Sequence, residues 1–229
     1  SGFGSTMEGI GIIIILGVAL GHILHISGAT EQIATLMLKI TGQKNSPLAV
    51  ALTGYIVSIP VFFDAAFVIL VNLVKSISRK GKVPFITLVT ALSVGLITTH
   101  ALVIPTPGPI AVASTMGVNI GWFLFYSIIV SLPAVLVGGV LYGIFLGKKK
   151  EYINDFANNF DDVDMSEGEN IDGRKLPSGG LGIALIFLPI VIILSGTIAT
   201  LLLPKETAAY AFFNFIGNKN IALLIGLVV

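Results

Sequence analysis

An uncharged stretch interrupted by prolines constrains this chain more than any other feature. Residues 83–147 contain no Asp, Glu, Lys or Arg, and such a stretch belongs in a lipid bilayer, where one span takes about 20 apolar residues. Near its middle stands Pro105-Thr-Pro-Gly-Pro109, which cannot continue a helix because each proline lacks an N–H group and clashes with the preceding turn. Backbone groups left unpaired at membrane depth must be buried in protein or line a watery cavity. The interruption therefore predicts a broken transmembrane helix, with which transporters build sites for small solutes.

The composition agrees with a membrane protein and excludes other classes. The chain is 55% hydrophobic and 11% charged, whereas a soluble domain carries roughly 25% charged residues. There is no basic stripe, so nucleic acid is not an expected partner. The absence of cysteine excludes disulfides and thiol chemistry. His22 and His25 share a helix face without a third ligand, so we predict no metal site and interpret them as interfacial or packing residues. We also predict no cofactor and no catalytic residues.

The first two segments differ in how they meet the membrane. Residues 1–29 are predicted to hold a transmembrane span. Residues 30–46 are predicted to hold a short helix along the interface, because this segment is too polar to span and has one apolar stripe. The stripe consists of Ile33, Leu36, Met37 and Ile40.

The next apolar segment, 47–78, predicts a re-entrant hairpin. Asp64 is its only charge before Lys75, and Pro60 interrupts it near the middle. The segment is too short for two spans and too long for one. Basic residues flank both ends, which places both ends in the cytoplasm under the positive-inside rule. The tip of the hairpin would lie at 60–63.

The remaining segments complete an all-α polytopic plan. Residues 84–119 are predicted to form the broken helix and to make one unit, 47–121, with the hairpin. The segment 119–121 would turn outside the cell, and residues 122–147 would return as a span. Acidic residues outnumber basic ones in 148–180, which predicts a solvated cytoplasmic loop. Residues 181–229 would form a span and begin another, as an internal piece of a longer protein would.

Asp64 is the first candidate for chemistry. A lone carboxylate within membrane-embedded sequence is a functional hypothesis by default. It could carry a proton, pair with a cation or accept a hydrogen bond from a substrate hydroxyl. Asp is also a preferred helix N-cap, and Asp64 precedes a good helix-forming run. The two interpretations are compatible.

The proline break supplies the second group of candidates. Thr106 and Gly108 precede a helix start, where a hydroxyl and bare N–H groups attract a carboxylate. A proline kink packed by its neighbours is the alternative. His100 could relay protons near neutral pH, or it could be a buried histidine bonded to a carbonyl.

Two stretches of the sequence resemble a known family. Gly54-Tyr-Ile-Val-Ser-Ile-Pro-Val-Phe-Phe-Asp64 and His100-Ala-Leu-Val-Ile-Pro-Thr-Pro-Gly-Pro109 are similar to the two signature stretches of the gluconate permease (GntP) family. The similarity runs across nearly the whole chain. It implies one half of an inverted-repeat transporter of the ion transporter superfamily, with the segment 30–46 joining a scaffold domain, which includes 1–29, to a transport domain. The second repeat would be missing.

The resemblance also implies a function and a site. The protein would be a symporter in the bacterial cytoplasmic (inner) membrane that imports gluconate or a related sugar acid by alternating access, driven by a proton gradient rather than by sodium. Its partners would be the sugar-acid anion and the lipid bilayer, and a homodimer is a possible assembly. Asp64 or His100 would couple the proton. The substrate-binding residues would be Phe63, Asp64, Thr99, His100, Thr106 and Gly108.

Several alternatives remain open at this stage. Carriers of D-serine, glycerate or fructuronate resemble the same pattern, and sodium coupling is an alternative to proton coupling. A channel would use the same broken helices without coupled, saturable uptake. A purely structural membrane subunit would leave Asp64 and the break unexplained. An enzyme would need a nucleophile–base pair or a metal set, and the sequence offers neither.

Overall fold

The computed structural model describes residues 2–149 and 177–229. All regular structure in these two parts is helical, and several helices are strongly apolar, as predicted for an all-α membrane protein. The predicted loop at 148–180 lies almost wholly outside the described residues. Numbered along the chain, the helices are α1 Gly2–Ile26, α2 Ala29–Thr41, α3 Ser46–Val57, α4 Phe63–Gly81, α5 Phe85–Leu102, α6 Pro107–Thr115, α7 Ile120–Gly147, α8 Gly179–Leu202, α9 Ala208–Ile216 and α10 Lys219–Val228.

Apolar stretches of membrane-spanning length occur in three places within the described residues. They are Phe85–Thr115, which contains α5 and α6, then α7, and then α8. Two bent pairs of helices are also long and apolar enough when each pair is taken together: Gly11–Ile26 of α1 with α2, bent by 71°, and α9 with α10, bent by 69°. Sequence analysis missed α9, whose N-cap Thr207 accepts a hydrogen bond from the Tyr210 N–H group.

Helix α2 packs through the apolar stripe that its sequence predicted. Ile33 and Met37 are buried, whereas Ile40, at the end of the stripe, is 67% exposed. Helix α8 contacts α2 and approaches it closely through a glycine. A Cβ atom on Gly179 would lie only 2.3 Å from the Gln32 carbonyl oxygen. Helix α2 therefore packs between α3 and α8.

Helix α5 is central, because α3, α4, α6 and α7 all contact it. Its contact with α3 is made backbone to backbone through two glycines. A Cβ atom on Gly95 would lie 2.3 Å from the Ala51 carbonyl oxygen, and one on Gly54 would lie 2.8 Å from the Leu92 carbonyl oxygen. Around these glycines the core is tightly closed, and Ala51 and Leu92 are fully buried. The end of α3, which leads into the segment 58–62, is therefore fixed against α5.

Helix α7 contacts α5 through a second row of small residues. Gly139, Gly143 and Gly147 recur every fourth position, a spacing that lets membrane helices approach closely. A Cβ atom on Gly143 would lie 2.7 Å from the Thr87 carbonyl oxygen. The outer face of α7 is apolar and exposed, as in Val137, which is 61% exposed. This helix is joined to the core along one narrow stripe.

Candidate functional site

The predicted hairpin tip and the predicted helix break line one cleft. The connection of α3 to α4 is 58–62, which overlaps the predicted 60–63 and is called the tip below. The connection of α5 to α6 is 103–106, which begins two residues before the predicted 105–109 and is called the break below. Across the cleft the rings of Phe62 and His100 lie 5.5 Å apart between centroids. Helix α1 closes the third side with Ile14, Gly17 and Val18. Two segments that are far apart in sequence and were singled out separately are thus brought together.

The cleft is narrow in this structure. Its free volume is about 20 Å³, which suits one water molecule or one small ion and is far too small for a sugar acid. Helix α1 makes it narrow, because a Cβ atom on Gly21 would lie 2.8 Å from the Pro60 carbonyl oxygen. A larger ligand therefore requires α1 and the tip to separate.

Thr99 does not line the cleft but forms a hydrogen bond between α5 and α3. It is fully buried, and its hydroxyl donates to the Tyr55 carbonyl oxygen at 2.9 Å. That carbonyl lies in the last turn of α3, where the Ile59 N–H group bonds to Ile56 instead. A helix end leaves such carbonyls unpaired, so Thr99 satisfies one of them. The Tyr55 hydroxyl forms a further hydrogen bond, of 2.7 Å, with Ser131 on α7.

At the break, the Thr106 hydroxyl is already engaged. It donates to the Val103 carbonyl oxygen, which also accepts a hydrogen bond from the Thr106 N–H group. Thr106 lines the cleft but is buried, so its hydroxyl proton is not available to a ligand in this structure. The donors that remain are backbone N–H groups of α6.

Gly108 supplies the one such donor in the first turn of α6. Pro107 and Pro109 on either side have no N–H group, and the Ile110 N–H group bonds to Thr106. Among the described residues the Gly108 N–H group has no partner. Gly108 is exposed, has no left-handed backbone conformation, and a Cβ atom there would meet nothing within 4 Å. Packing therefore does not explain glycine at this position. A helical residue directly before Pro109 is less strained without a Cβ atom, and glycine also permits close approach of a ligand to the backbone.

Asp64 lies in the first turn of α4, and the N-cap interpretation is wrong. Phe62 precedes the helix as its N-cap, and no side chain caps this end. The carboxylate of Asp64 is exposed and complements the positive end of the helix dipole. Phe63 is half-buried and stacks on Phe67 along α4, with ring centroids 5.8 Å apart. Asp64 is therefore exposed beside the tip, whereas Phe63 is not.

His100 is half-exposed at the end of α5. Among the described residues its ring meets Phe62 and forms no hydrogen bond. The alternative of a buried histidine bonded to a carbonyl is therefore not what the structure shows. The ring nitrogens remain available to a ligand or a water molecule.

Sequence analysis missed Ser58 as a site residue. This serine is fully buried at the start of the tip and lines the cleft, and its Oγ atom has no hydrogen-bond partner among the described residues. A buried hydroxyl without a partner costs about 1–3 kcal/mol. Its place directly before Ile59-Pro60, where a helix must end, was the signal available in the sequence. Ser58 therefore points to a partner that occupies the cleft.

The other histidines stand apart from the cleft. His22 is exposed on α1, and His25 is half-buried with an unpartnered Nδ1 atom. In the parts of the chain that the structure describes, no group of three His, Cys, Asp or Glu side chains comes together.

Comparison with known proteins bears on the whole chain. The sequence profile of the GntP family of permeases matches residues 1–229. The chain is 39% identical to an uncharacterized permease of Haemophilus influenzae, 34% to the high-affinity gluconate transporter of Escherichia coli K12 and 34% to the gluconate permease of Bacillus subtilis 168. Each alignment covers 100% of this chain and 48%, 49% and 52% of the respective relative. The chain thus spans about half the length of the curated relatives it matches. No solved structure matches it.

Proposed function

Because this chain belongs to the GntP family of permeases, we propose that it works in a secondary transporter that imports gluconate or a related sugar acid together with protons. The family consists of permeases rather than enzymes, and the family and the apolar helices together indicate a multi-pass membrane protein. The proposed location is the bacterial cytoplasmic membrane. The observation that carries the proposal is the cleft in which hairpin tip, helix break and α1 meet.

The proposed anion site is the start of α6. A carboxylate there would accept a hydrogen bond from the unpaired Gly108 N–H group, and the positive end of the helix dipole would stabilise its charge. Helix α4 begins beside the same cleft, and its Phe63, Asp64 and Ala65 N–H groups have no partner among the described residues. Two helices that start at one cleft create a positive region for the acid group, as in other carriers with broken helices.

The remaining polar groups suit the hydroxyl-rich part of a sugar acid. The Asp64 carboxylate accepts hydrogen bonds from hydroxyl groups, and the Ser58 hydroxyl both donates and accepts. His100 and Asp64 are the titratable groups beside the cleft and are the proposed proton carriers. With Phe62 as a wall, this arrangement favours a small polar anion over an apolar solute.

Alternating access follows from the narrow cleft. Since about 20 Å³ admits no sugar acid, this structure would represent a closed state. Opening requires α1 to leave the tip, where Gly21 meets Pro60. The proposal places 47–121 in the moving unit, with 47–78 as a re-entrant hairpin and α1 in the scaffold. The positive-inside rule places the basic ends of this unit in the cytoplasm.

The test is transport by the full-length protein reconstituted into liposomes. Vesicles loaded with unlabelled gluconate should accumulate labelled gluconate by counterflow, and an inward proton gradient should accelerate net uptake. A panel of gluconate, fructuronate, glycerate and D-serine would identify the acid that competes best. Uptake that neither saturates nor shows counterflow would indicate a channel, and acceleration by a sodium gradient alone would refute proton coupling. The homodimer remains a prediction, which the molar mass in detergent would test.

A further inference from the structure

A second cavity lies at the opposite end of α3 and α5 from the cleft. It is a groove of about 440 Å³ between the start of α3, the α4–α5 connection and the last turns of α7. Helix α5 runs between the two sites and is about 27 Å long at 1.5 Å per residue. The groove is therefore separate from the proposed sugar-acid site.

The groove is cationic at one end. Lys44 precedes α3 and Lys148 follows α7, and both exposed side chains line it. Lys149 instead lies over the Phe145 ring, 5.2 Å from its centroid. No acidic side chain is among the residues that line the groove. Helices α3 and α5 both begin here, and their positive ends add to the attraction for an anion.

The rest of the groove is apolar and extends along α7. From Lys148 the wall passes Ile144 and Val140 to Leu136, a distance of about 18 Å along the helix. Leu136 is 43% exposed, and Val137 beside it is 61% exposed. The apolar end is thus open to the outer surface of α7, which faces lipid in a membrane-spanning helix.

A groove with two lysines at one end and an apolar wall that opens to lipid matches the two ends of a phospholipid. We infer that it binds one anionic phospholipid, with the phosphate between Lys44 and Lys148 and an acyl chain along Leu136, Val140 and Ile144. Basic pockets between transmembrane helices bind anionic headgroups in this way. The inference does not depend on which solute the protein carries.

The chain itself contains a competing anion. Residues 150–176 follow the lysines directly and carry eight acidic side chains against three basic ones. An acidic peptide segment would satisfy the lysines but would leave the apolar wall uncovered. The continuity of cationic end and apolar wall therefore favours a lipid, and the test includes the segment as an outcome.

The experiment measures lipid binding to the full-length protein in detergent by native mass spectrometry. The probes are dioleoylphosphatidylglycerol, dioleoylphosphatidylcholine and glycerol phosphate, which has the headgroup charge without the chains. Lys44→Gln and Lys148→Gln should each weaken phosphatidylglycerol binding about fivefold, the contribution of one lysine near an anionic headgroup. Lys39→Gln is the matched control, because Lys39 is exposed but does not line the groove.

A second pair of variants tests the apolar wall. Leu136→Trp should fill the groove and weaken phosphatidylglycerol binding, whereas Val137→Trp, one residue away and outside the groove, should not. Equal binding of both phospholipids, equal loss in Lys39→Gln, or glycerol phosphate binding as tightly as the lipid would overturn the inference. Stronger lipid binding after the eight acidic residues of 150–176 are changed to amides would also overturn the inference. It would mean that this segment occupies the groove in the unaltered protein.

Discussion

Glycines and hydroxyl side chains occur both at the α3–α5 contact and around the cleft at its end. Packing and hydrogen bonding account for these residues at the contact but not around the cleft. At the contact, Gly54 and Gly95 are required because a Cβ atom would strike a carbonyl, and the Thr99 hydroxyl has a partner. In the cleft, the Ser58 hydroxyl has no partner among the described residues, and beside the cleft Gly108 has open space around it. Residues that packing leaves unexplained are the ones to assign to a ligand. Matched substitutions in the two regions test this difference.

The largest effect is expected from Gly95→Val. The added side chain would strike the Ala51 carbonyl, since even a Cβ atom would lie 2.3 Å away. Overpacking of this kind costs about 1–3 kcal/mol or more, so we expect a lower melting temperature in detergent and less protein in the membrane. Thermal unfolding monitored by tryptophan fluorescence provides the measurement. An unchanged melting temperature would show that α3 and α5 are not in close contact.

Gly108→Val is the matched change beside the cleft. It should lower the melting temperature less than Gly95→Val, because a Cβ atom at Gly108 meets nothing within 4 Å and only the following Pro109 disfavours it. It should abolish or strongly weaken gluconate binding, since the side chain covers the N–H group proposed to receive the carboxylate. A hydrogen bond to a charged group contributes about 1.5–3 kcal/mol, or roughly 10- to 150-fold in affinity. Normal gluconate affinity in a folded Gly108→Val protein would remove the start of α6 from the site.

Asp64→Asn sharpens the distinction between binding and coupling. Asn keeps the size of the side chain but cannot titrate, and Asp64 makes no capping hydrogen bond whose loss would disturb α4. If Asp64 carries the proton, uptake should lose its acceleration by an inward proton gradient, while exchange of gluconate for gluconate persists. Proteoliposome uptake with and without an imposed gradient separates the two. A gradient response equal to that of the unaltered protein would exclude Asp64 as carrier and leave His100.

The smallest effects are expected from two buried hydroxyls compared directly. Thr99→Val removes the hydrogen bond to the Tyr55 carbonyl oxygen and should lower stability by about 1 kcal/mol without changing gluconate affinity. Ser58→Ala removes an unpartnered hydroxyl and should leave stability equal or higher, while gluconate affinity falls several-fold. Melting temperature and binding are measured on both proteins. If both variants change only stability, Ser58 is a packing residue like Thr99.

The sequence predicted the helices well where proline, glycine and charge interrupt apolar runs. The break around Pro105 and the turn after α3 at Pro60 both lie where helix-breaking residues stand. The short helix α9 was missed because its aromatic and alanine residues lack the apolar length expected of a span. Proline, glycine and charged residues predict where a helix ends. They do not predict which helices, separated by many residues in the sequence, pack against each other.

For the site, the sequence identified the two segments but not what each hydroxyl does. The N-cap interpretation of Asp64, one of two that the sequence allows, expects α4 to begin at residue 65, yet the helix begins at Phe63 with Phe62 as its N-cap. The hydrogen bonds of Thr99 and Thr106 depend on which carbonyls remain unpaired at the ends of α3 and α5. The sequence placed Ser58 just before the helix end at Pro60, but only the structure shows that its hydroxyl is buried without a partner among the described residues. The roles of these hydroxyl groups depend on which atoms form hydrogen bonds with them, and only the tertiary structure shows that.

The contact of α1 with the tip affects how fast the cleft can open. It is made where Gly21 meets Pro60, and Gly17 lies on the same face. Glycine and proline lose almost no side-chain entropy when they are buried. At this point, separating and rejoining the two surfaces therefore reorders few side chains, whereas a contact of leucines or methionines would freeze and release more rotamers in every cycle. We expect Gly21→Leu to slow exchange of bound for free substrate even where the protein still folds.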